Sequence, residues 1–221
     1  MCGRYTLKTP INVLAEGFGI TEYPSSIIPN YNTAPTQKVA AVVEEDEKRK
    51  LEMFHWGLIP SWAKDPAIGN KMINARAETV SEKPSFRSAF KKRRCLILAD
   101  GFYEWQKTDN GKQPYHIKMQ DDSPFAFAGL WEIWGNNGEE IRSCTIITTD
   151  ANDLMNEIHH RMPVILPPED YEMWLDSDFE ERDALTSLLK PYPADAMEAY
   201  PVSRRVNKPS NNEPSVVEPA A

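Results

Sequence analysis

The second residue of the chain is a cysteine, Cys2, and the small residue Gly3 follows it. Removal of Met1 would leave Cys2 with an amine and a thiol on adjacent carbons. Because the amine has a pKa of roughly 7.7–8.0 and the thiol one of about 8.5, both are partly deprotonated near neutral pH. Such an aminothiol reacts with an aldehyde, since the amine forms an imine and the thiol then closes a thiazolidine ring. The alternatives are a nucleophile for acyl transfer and an incidental residue in a frayed terminus.

Three polar clusters elsewhere in the chain could assist this chemistry. In the first, the Asn74 amide can both donate and accept hydrogen bonds, and the Arg76 guanidinium can donate two parallel hydrogen bonds to a phosphate. In the second, Glu104 lies between aromatic residues after an apolar run, where burial would make it a usable proton acceptor or donor. In the third, His159 and His160 could move a proton near neutral pH. The structural alternatives are a helix start for the first cluster and the polar face of a strand for the second.

A metal site is not predicted. Adjacent histidines on one short segment usually point apart, and the sequence has no Cys-x-x-Cys or His-x-x-x-His spacing. We therefore expect neither a metal nor a cofactor. The remaining cysteines, Cys95 and Cys144, lie in apolar runs, so we expect buried thiols and no disulfide.

The charge pattern bears on possible partners. A net charge of −8 argues against global attraction to nucleic acid. Basic residues are nevertheless concentrated between Arg87 and Arg94, either as a solvated helix face or as a local basic face. Trp62, two residues before Lys64, could stack on a base or wedge between bases, whereas Trp56 is expected in the core. No apolar run is long enough to span a bilayer and the start has no signal-peptide pattern, so we expect a cytoplasmic protein, nucleoid-associated when bound to DNA.

Periodicity and turn residues predict one α+β domain, rich in strands at its centre and with helices at its margins. A helix is predicted from Pro10 to Phe18 with Thr9 as its cap, and another after a cap at Asp150. The dipeptide Asn110–Gly111 indicates a hairpin turn. The other predicted elements are strands over Lys38–Val43, Leu51–Trp56, Cys95–Ala99, Tyr115–Met119, Phe125–Trp134 and Arg142–Thr149, and helices over Pro168–Leu175 and Asp178–Leu189.

Seven motifs occur in an order that resembles the SOS-response-associated peptidase family, whose members are also described as abasic-site processing proteins. The resemblance covers residues 1–209 and leaves 210–221 as an expected flexible tail. The motifs are MCGRY at the start, YNTAP (Tyr31–Pro35), WGLIPSW (Trp56–Trp62), INARAET (Ile73–Thr79), ADGFYEW (Ala99–Trp105), HHRMPVIL (His159–Leu166) and PVSRRVN (Pro201–Asn207).

The resemblance implies a single β-rich α+β domain of mixed and antiparallel, barrel-like sheets with peripheral helices and a positively charged DNA channel. It implies that Cys2 crosslinks to the aldehyde of an abasic site in single-stranded DNA. Asn74 would orient the sugar or the terminus, Glu104 would handle protons, and His159, rather than His160, would transfer a proton. The residues expected to contact DNA are Arg4, Asn32, Trp62, Arg76 and Arg161.

Two other functions stay open at the level of sequence. The chain could be a thiol peptidase that acts on other proteins, with removal of Met1 as one instance of that activity. It could also be a noncatalytic reader of damaged or modified DNA. For the crosslinking function we further expect a monomer, autoproteolytic loss of Met1, weak lyase activity at abasic sites and a partner in the replication machinery.

Overall fold

The computed structural model describes residues 2–135 and 138–220, which form thirteen strands and five α-helices, with short 3-10 helices between them. The strands are β1 (Tyr5–Leu7), β2 (Asn30–Thr33), β3 (Lys38–Glu45), β4 (Lys48–Trp56), β5 (Asn74–Arg76), β6 (Arg94–Ala99), β7 (Gly101–Thr108), β8 (Gly111–Met119), β9 (Phe125–Trp134), β10 (Ile141–Asp150), β11 (Arg161–Pro163), β12 (Ile165–Leu166) and β13 (Met197–Pro201). The helices are α1 (Ile11–Phe18), α2 (Arg87–Lys92), α3 (Asp153–Asn156), α4 (Tyr171–Leu175) and α5 (Arg182–Ser187).

The larger sheet closes on itself. Its strands follow one another in the order β10–β4–β3–β6–β9, and β9 pairs back onto β10. All pairings in this ring are antiparallel except β4–β10, which is parallel. Strands β5 and β11 extend the sheet along β10, and β12 extends it along β9. A closed ring leaves few exposed edges, and it confirms the predicted mixed, barrel-like β-rich domain.

The second sheet brings the start of the chain to the middle of the fold. Its five antiparallel strands follow the order β13–β8–β7–β1–β2, so β1 is covered on both sides. The pairing of Tyr5 with Phe102 sets the register of β1 against β7. The residues just before β1 are therefore held beside the second half of the ADGFYEW segment.

The core fills the ring with side chains from its central strands. Every residue of β6 is buried, as are the first six residues of β9. Gly129 is required there, since a Cβ at this position would lie 2.8 Å from Sγ of Cys95. Cys95 and Cys144 are buried free thiols, and Trp56 is fully buried, which confirms the sequence predictions for all three.

The predicted helix caps are wrong. The Thr9 hydroxyl donates to Oδ2 of Asp100 at 2.9 Å, and α1 has no side-chain cap. Helix α3 is capped by Asn152, whose Oδ1 accepts from N–H of Met155 at 2.9 Å. Asp150 instead forms an ion pair with Arg161, because that guanidinium lies within its reach on β11.

The other elements follow the prediction with shifted ends. The hairpin between β7 and β8 turns at Asp109 and Asn110, and Gly111 follows the turn with a φ of 104°. The helix predicted over Asp178–Leu189 is shorter, Arg182–Ser187. Among the described residues, no helix is long and apolar enough to cross a membrane.

Residues 210–220, expected as a flexible tail, instead pack against the second sheet. The Val216 side chain is fully buried. The backbone N–H of Tyr31 donates to Oδ1 of Asn212 at 2.7 Å, and the N–H of Ala220 donates to the carbonyl of Pro201 at 2.8 Å. The buried Val216 and these hydrogen bonds thus attach residues 210–220 to the second sheet, although their polar composition suggested a flexible tail.

Candidate active site

Cys2 is held inside the domain rather than at a frayed end. The carbonyl of Arg4 accepts a hydrogen bond of 2.9 Å from N–H of Tyr103, so β1 extends along β7 toward Glu104. The Cys2 side chain is fully buried. Burial, with a further contribution from the charge of Glu104, raises the pKa of the Cys2 thiol to about 12. The thiol is therefore protonated at neutral pH.

Asn74 binds the same terminal residue. It lies on β5, which β10 holds in parallel register through the pairing of Asn74 with Ile146. Its Nδ2 donates to the carbonyl of Cys2 at 2.9 Å and to that of Ile73 at 2.7 Å. Its Oδ1 is buried and has no hydrogen-bond donor among the described residues. A buried amide oxygen without a donor is costly, so this atom is suited to accept a bond from a group that arrives at the site.

Glu104 supplies a carboxylate beside Cys2. The side chain is 3 % exposed, and the N–H of Trp105 donates to its Oε2 at 3.4 Å. Its charge acts on both the Cys2 thiol and the His159 ring: it adds to the rise in the pKa of the thiol and opposes the lowering of the pKa of the ring. Glu104 thus lies near both of the other groups predicted to carry the chemistry.

His159 lies on the segment between α3 and β11. Its Nδ1 faces the backbone of Arg161, at 3.0 Å from the nitrogen and 3.2 Å from the carbonyl oxygen. Burial lowers the pKa of His159, and the Glu104 carboxylate opposes this effect. His160 is exposed and stacks on His159 with ring centroids 4.4 Å apart. The structure therefore brings His159 to the cluster of Cys2, Asn74 and Glu104.

Two of the predicted DNA contacts are occupied inside the protein. The Nη1 of Arg4 donates to Oδ1 of Asn32 and to the carbonyl of Val206, both at 2.7 Å. The Nδ2 of Asn32 donates to the carbonyls of Val206, Lys208 and Asn211 at 2.7–3.2 Å. Asn32 is 1 % exposed, so its position favours an internal role, attachment of the C-terminal segment, over the predicted DNA contact.

Arg161 is likewise engaged. Its guanidinium pairs with the carboxylates of Glu78 and Asp150 at 2.6 and 2.7 Å, and it donates to the carbonyl of Thr148. By contrast, Arg76 is exposed and Trp62 is 60 % exposed. Of the five residues predicted to contact DNA, these two therefore present the most accessible side chains.

The basic run at α2 is mostly used for internal contacts. Lys91 and Lys92 both pair with Glu180, and Arg93 pairs with Glu132 at 2.7 Å. Arg94 is 3 % exposed, and its guanidinium donates to backbone carbonyls that include that of Trp174. The run stabilises packing around α4, and its position gives no support to a basic DNA face there.

Comparison with known proteins agrees with this arrangement. The family model described as SOS response associated peptidase (SRAP) matches residues 1–209. The chain belongs to this family.

Relatives within the family share most of the chain. The abasic site processing protein YoqW of Bacillus subtilis is 49% identical over 99% of both chains, and YedK of Escherichia coli is 31% identical over 99% of this chain and 100% of its own. HMCES of Xenopus tropicalis is 35% identical over 84% of this chain and 64% of its own. The crystal structure of a Bacteroides thetaiotaomicron protein, 31% identical, superposes over the full length of both chains with a TM-score of 0.88.

The sequence analysis missed two groups next to the site of this family member. The indole N–H of Trp105 donates to Oδ1 of Asn207 at 2.7 Å, which links β7 to the C-terminal segment. A cleft of about 400 Å³ beside His159 is lined by Lys107 and Lys112 among others. The PVSRRVN motif, which contains Asn207, was the sequence signal for the contact with Trp105. The two lysines on either side of the predicted hairpin turn were the sequence signal for the cleft.

Proposed function

We propose that this chain processes abasic sites by bonding covalently, through Cys2, to the ring-opened sugar of the lesion in single-stranded DNA. The observation that supports this most is the hydrogen bond of 2.9 Å from Asn74 to the carbonyl of Cys2, beside the buried Glu104. A side chain that fixes the backbone of the second residue orients its amine. Because relatives are named abasic site processing proteins, we infer that the amine reacts with the aldehyde of the ring-opened abasic sugar.

Removal of Met1 must come first. Hydrolysis of the bond between Met1 and Cys2 consumes one water and releases methionine and a free α-amine. We propose that the protein performs this step itself, with Glu104 placed to accept the proton of the attacking group. An α-amine in a model peptide has a pKa of roughly 7.7–8.0, a range in which an amine is partly unprotonated near pH 7.5 and can act as a nucleophile.

The amine then attacks before the sulfur does. It adds to C1′ of the open sugar, and loss of water gives an imine. The thiol adds across the C=N bond: sulfur bonds to C1′ and its proton passes to nitrogen, which completes the thiazolidine. This order fits a thiol whose pKa is raised to about 12 and which adds to an activated imine next to it.

Two side chains assist the amine and the sugar. Glu104 accepts the proton that leaves the amine as it attacks. Burial lowers the pKa of His159, so its ring is neutral at neutral pH, and with its proton on Nε2 it can hydrogen-bond to the ring oxygen of the sugar and so favour the open aldehyde. An imine that does not close can undergo β-elimination, so we propose a weak lyase activity at abasic sites.

The DNA strand is expected to follow the accessible side chains near the site. Arg76 lies two residues after Asn74 on β5 and is exposed, so it can pair with a phosphate. Trp62 can stack on a base. Such a covalent complex would shield the lesion during the response to DNA damage.

A general thiol peptidase is less well supported by the site. Peptidases of that class attack with a thiolate, whereas burial and Glu104 keep the Cys2 thiol protonated.

The test uses replacement of Cys2 by alanine. Cys2→Ala should abolish the denaturation-resistant adduct with an abasic single-stranded oligonucleotide, because the thiazolidine cannot close. Cys95→Ala, which removes another buried thiol, should leave the adduct yield unchanged. An adduct of normal yield in Cys2→Ala, measured on a denaturing gel, would contradict the proposal.

A further inference from the structure

The hairpin of β7 and β8 carries two lysines directly opposite each other. Lys107 pairs with Lys112 in the antiparallel register, one step from the turn. Cβ atoms of such a pair are about 4.5–5.5 Å apart, and like charges at this position destabilise a hairpin. Both residues are exposed, and neither forms an ion pair within the described parts of the chain. The sequence thus retains an unfavourable pair that no protein carboxylate compensates.

The same lysines border the reaction site. They line the cleft of about 400 Å³ whose other walls include Trp105 and His159. A ligand in this cleft can therefore reach both the side chain proposed to hydrogen-bond to the sugar and the two ammonium groups. The cleft is large enough for a sugar-phosphate unit, since small-molecule sites typically span about 300–1,000 Å³.

The other charged groups around the cleft leave it attractive to an anion. Glu157 is the carboxylate among its lining residues, and it is exposed, while Asp109 lies in the hairpin turn. A third cation is attached to the same turn, because Nη2 of Arg204 donates to the carbonyl of Asn110 at 3.1 Å. The local excess of positive charge contrasts with the net charge of −8 of the whole chain.

We propose that Lys107 and Lys112 together bind one phosphodiester of the DNA strand, next to the abasic sugar. This inference rests on the proposed function and adds a binding site to it. A single phosphate between the two ammonium groups relieves their repulsion and pairs with both. It also fixes the strand relative to His159, so the lesion enters the site in one register.

The experiment compares Lys107→Gln/Lys112→Gln with wild type and with Lys190→Gln, an exposed lysine that lines a separate cleft. The probe is a single-stranded oligonucleotide with a tetrahydrofuran in place of the abasic sugar, which has no aldehyde and cannot crosslink. At low salt the double variant should bind about two- to five-fold more weakly for each lysine lost. The slope of log affinity against log salt should fall in magnitude by about 0.7, the value for one phosphate on a single strand.

Further variants separate charge from folding. Lys107→Arg/Lys112→Arg should keep the wild-type affinity and slope, and Lys190→Gln should do the same. The glutamine double variant should melt no earlier than wild type, because it removes a like-charge pair. With abasic DNA it should need a higher DNA concentration than wild type to reach half of the maximal adduct yield, whereas Lys190→Gln should not.

Two failures are distinguishable. An unchanged affinity and salt slope in the double variant, together with normal adduct formation, would overturn the phosphate site alone. Absence of an adduct in wild type would instead overturn the proposed function.

Discussion

In the proposed mechanism the two nucleophiles of Cys2 have different roles. In the chain that carries Met1 the thiol is fully buried and its pKa is raised to about 12, whereas an α-amine in a model peptide has a pKa of roughly 7.7–8.0. We therefore expect the amine to attack first and the thiol to add after the imine has formed. The hydrogen bond from Asn74 to the carbonyl of Cys2 holds the backbone that carries both groups.

Residue types and motif order were enough to predict the chemical groups of the site, but not how the surrounding arginines are used. The four residues predicted to be catalytic lie around one position, and their roles stay a prediction. Arg161 pairs with Glu78, which is 83 residues away in the chain, and with Asp150. Partners so distant in sequence leave no local pattern, so an internal ion pair and a phosphate contact look alike in the sequence.

At the residue scale, we expect Glu104→Gln, prepared with Met1 already removed, to slow adduct formation by about 100-fold or more at saturating DNA, because it removes the proton acceptor. Affinity for the tetrahydrofuran oligonucleotide should stay close to wild type, since Gln has nearly the same shape. Single-turnover kinetics with abasic DNA measure the rate. Glu157→Gln, an exposed carboxylate at the neighbouring cleft, serves as the matched control. Equal rates for both variants and wild type would exclude Glu104 from the proton transfers.

Among the elements, β1 and β7 do most to build the site. Their pairing places the start of the chain beside Glu104, and β10 holds β5 so that Asn74 reaches Cys2. Apolar runs predicted the central strands of the ring well. The parallel pairing of β4 with β10 was not predictable, because it joins segments about 90 residues apart and nothing in either segment specifies its partner.

The C-terminal segment is a second element whose structure differs from the sequence prediction. Polar and proline-rich composition suggested a flexible tail, yet Val216 is fully buried beside Val202 and Val206 in a small separate cluster. One apolar residue in a polar stretch is a weak signal, since its burial depends on a surface formed by distant strands.

We expect Val216→Ala to lower the free energy of unfolding by roughly 2 kcal/mol, because it removes two buried methyl groups and leaves a cavity. Urea denaturation followed by tryptophan fluorescence measures the change. Val217→Ala, at a half-buried neighbour, should cost clearly less. Equal stability of Val216→Ala and wild type would indicate that the segment is the free tail that its composition suggests.

On the scale of the whole molecule, an acidic chain is proposed to bind a polyanion. The net charge of −8 opposes long-range attraction, so binding must depend on a few local cations at short range. Arg76 and the lysine pair of the β7–β8 hairpin are exposed, while most of the α2 basic run is paired internally. Under the proposed function, the protein selects the lesion by its covalent chemistry rather than by strong nonspecific affinity for DNA.

Intact-mass spectrometry of the full chain, before and after addition of abasic single-stranded DNA, tests the central claim most directly. The account predicts that the free protein lacks Met1 and that the adduct has the summed mass of protein and DNA less one water. Borohydride should leave that mass unchanged, because a closed thiazolidine has no C=N bond to reduce. A protein that keeps Met1 and still forms the adduct, or no adduct at all, would contradict the account.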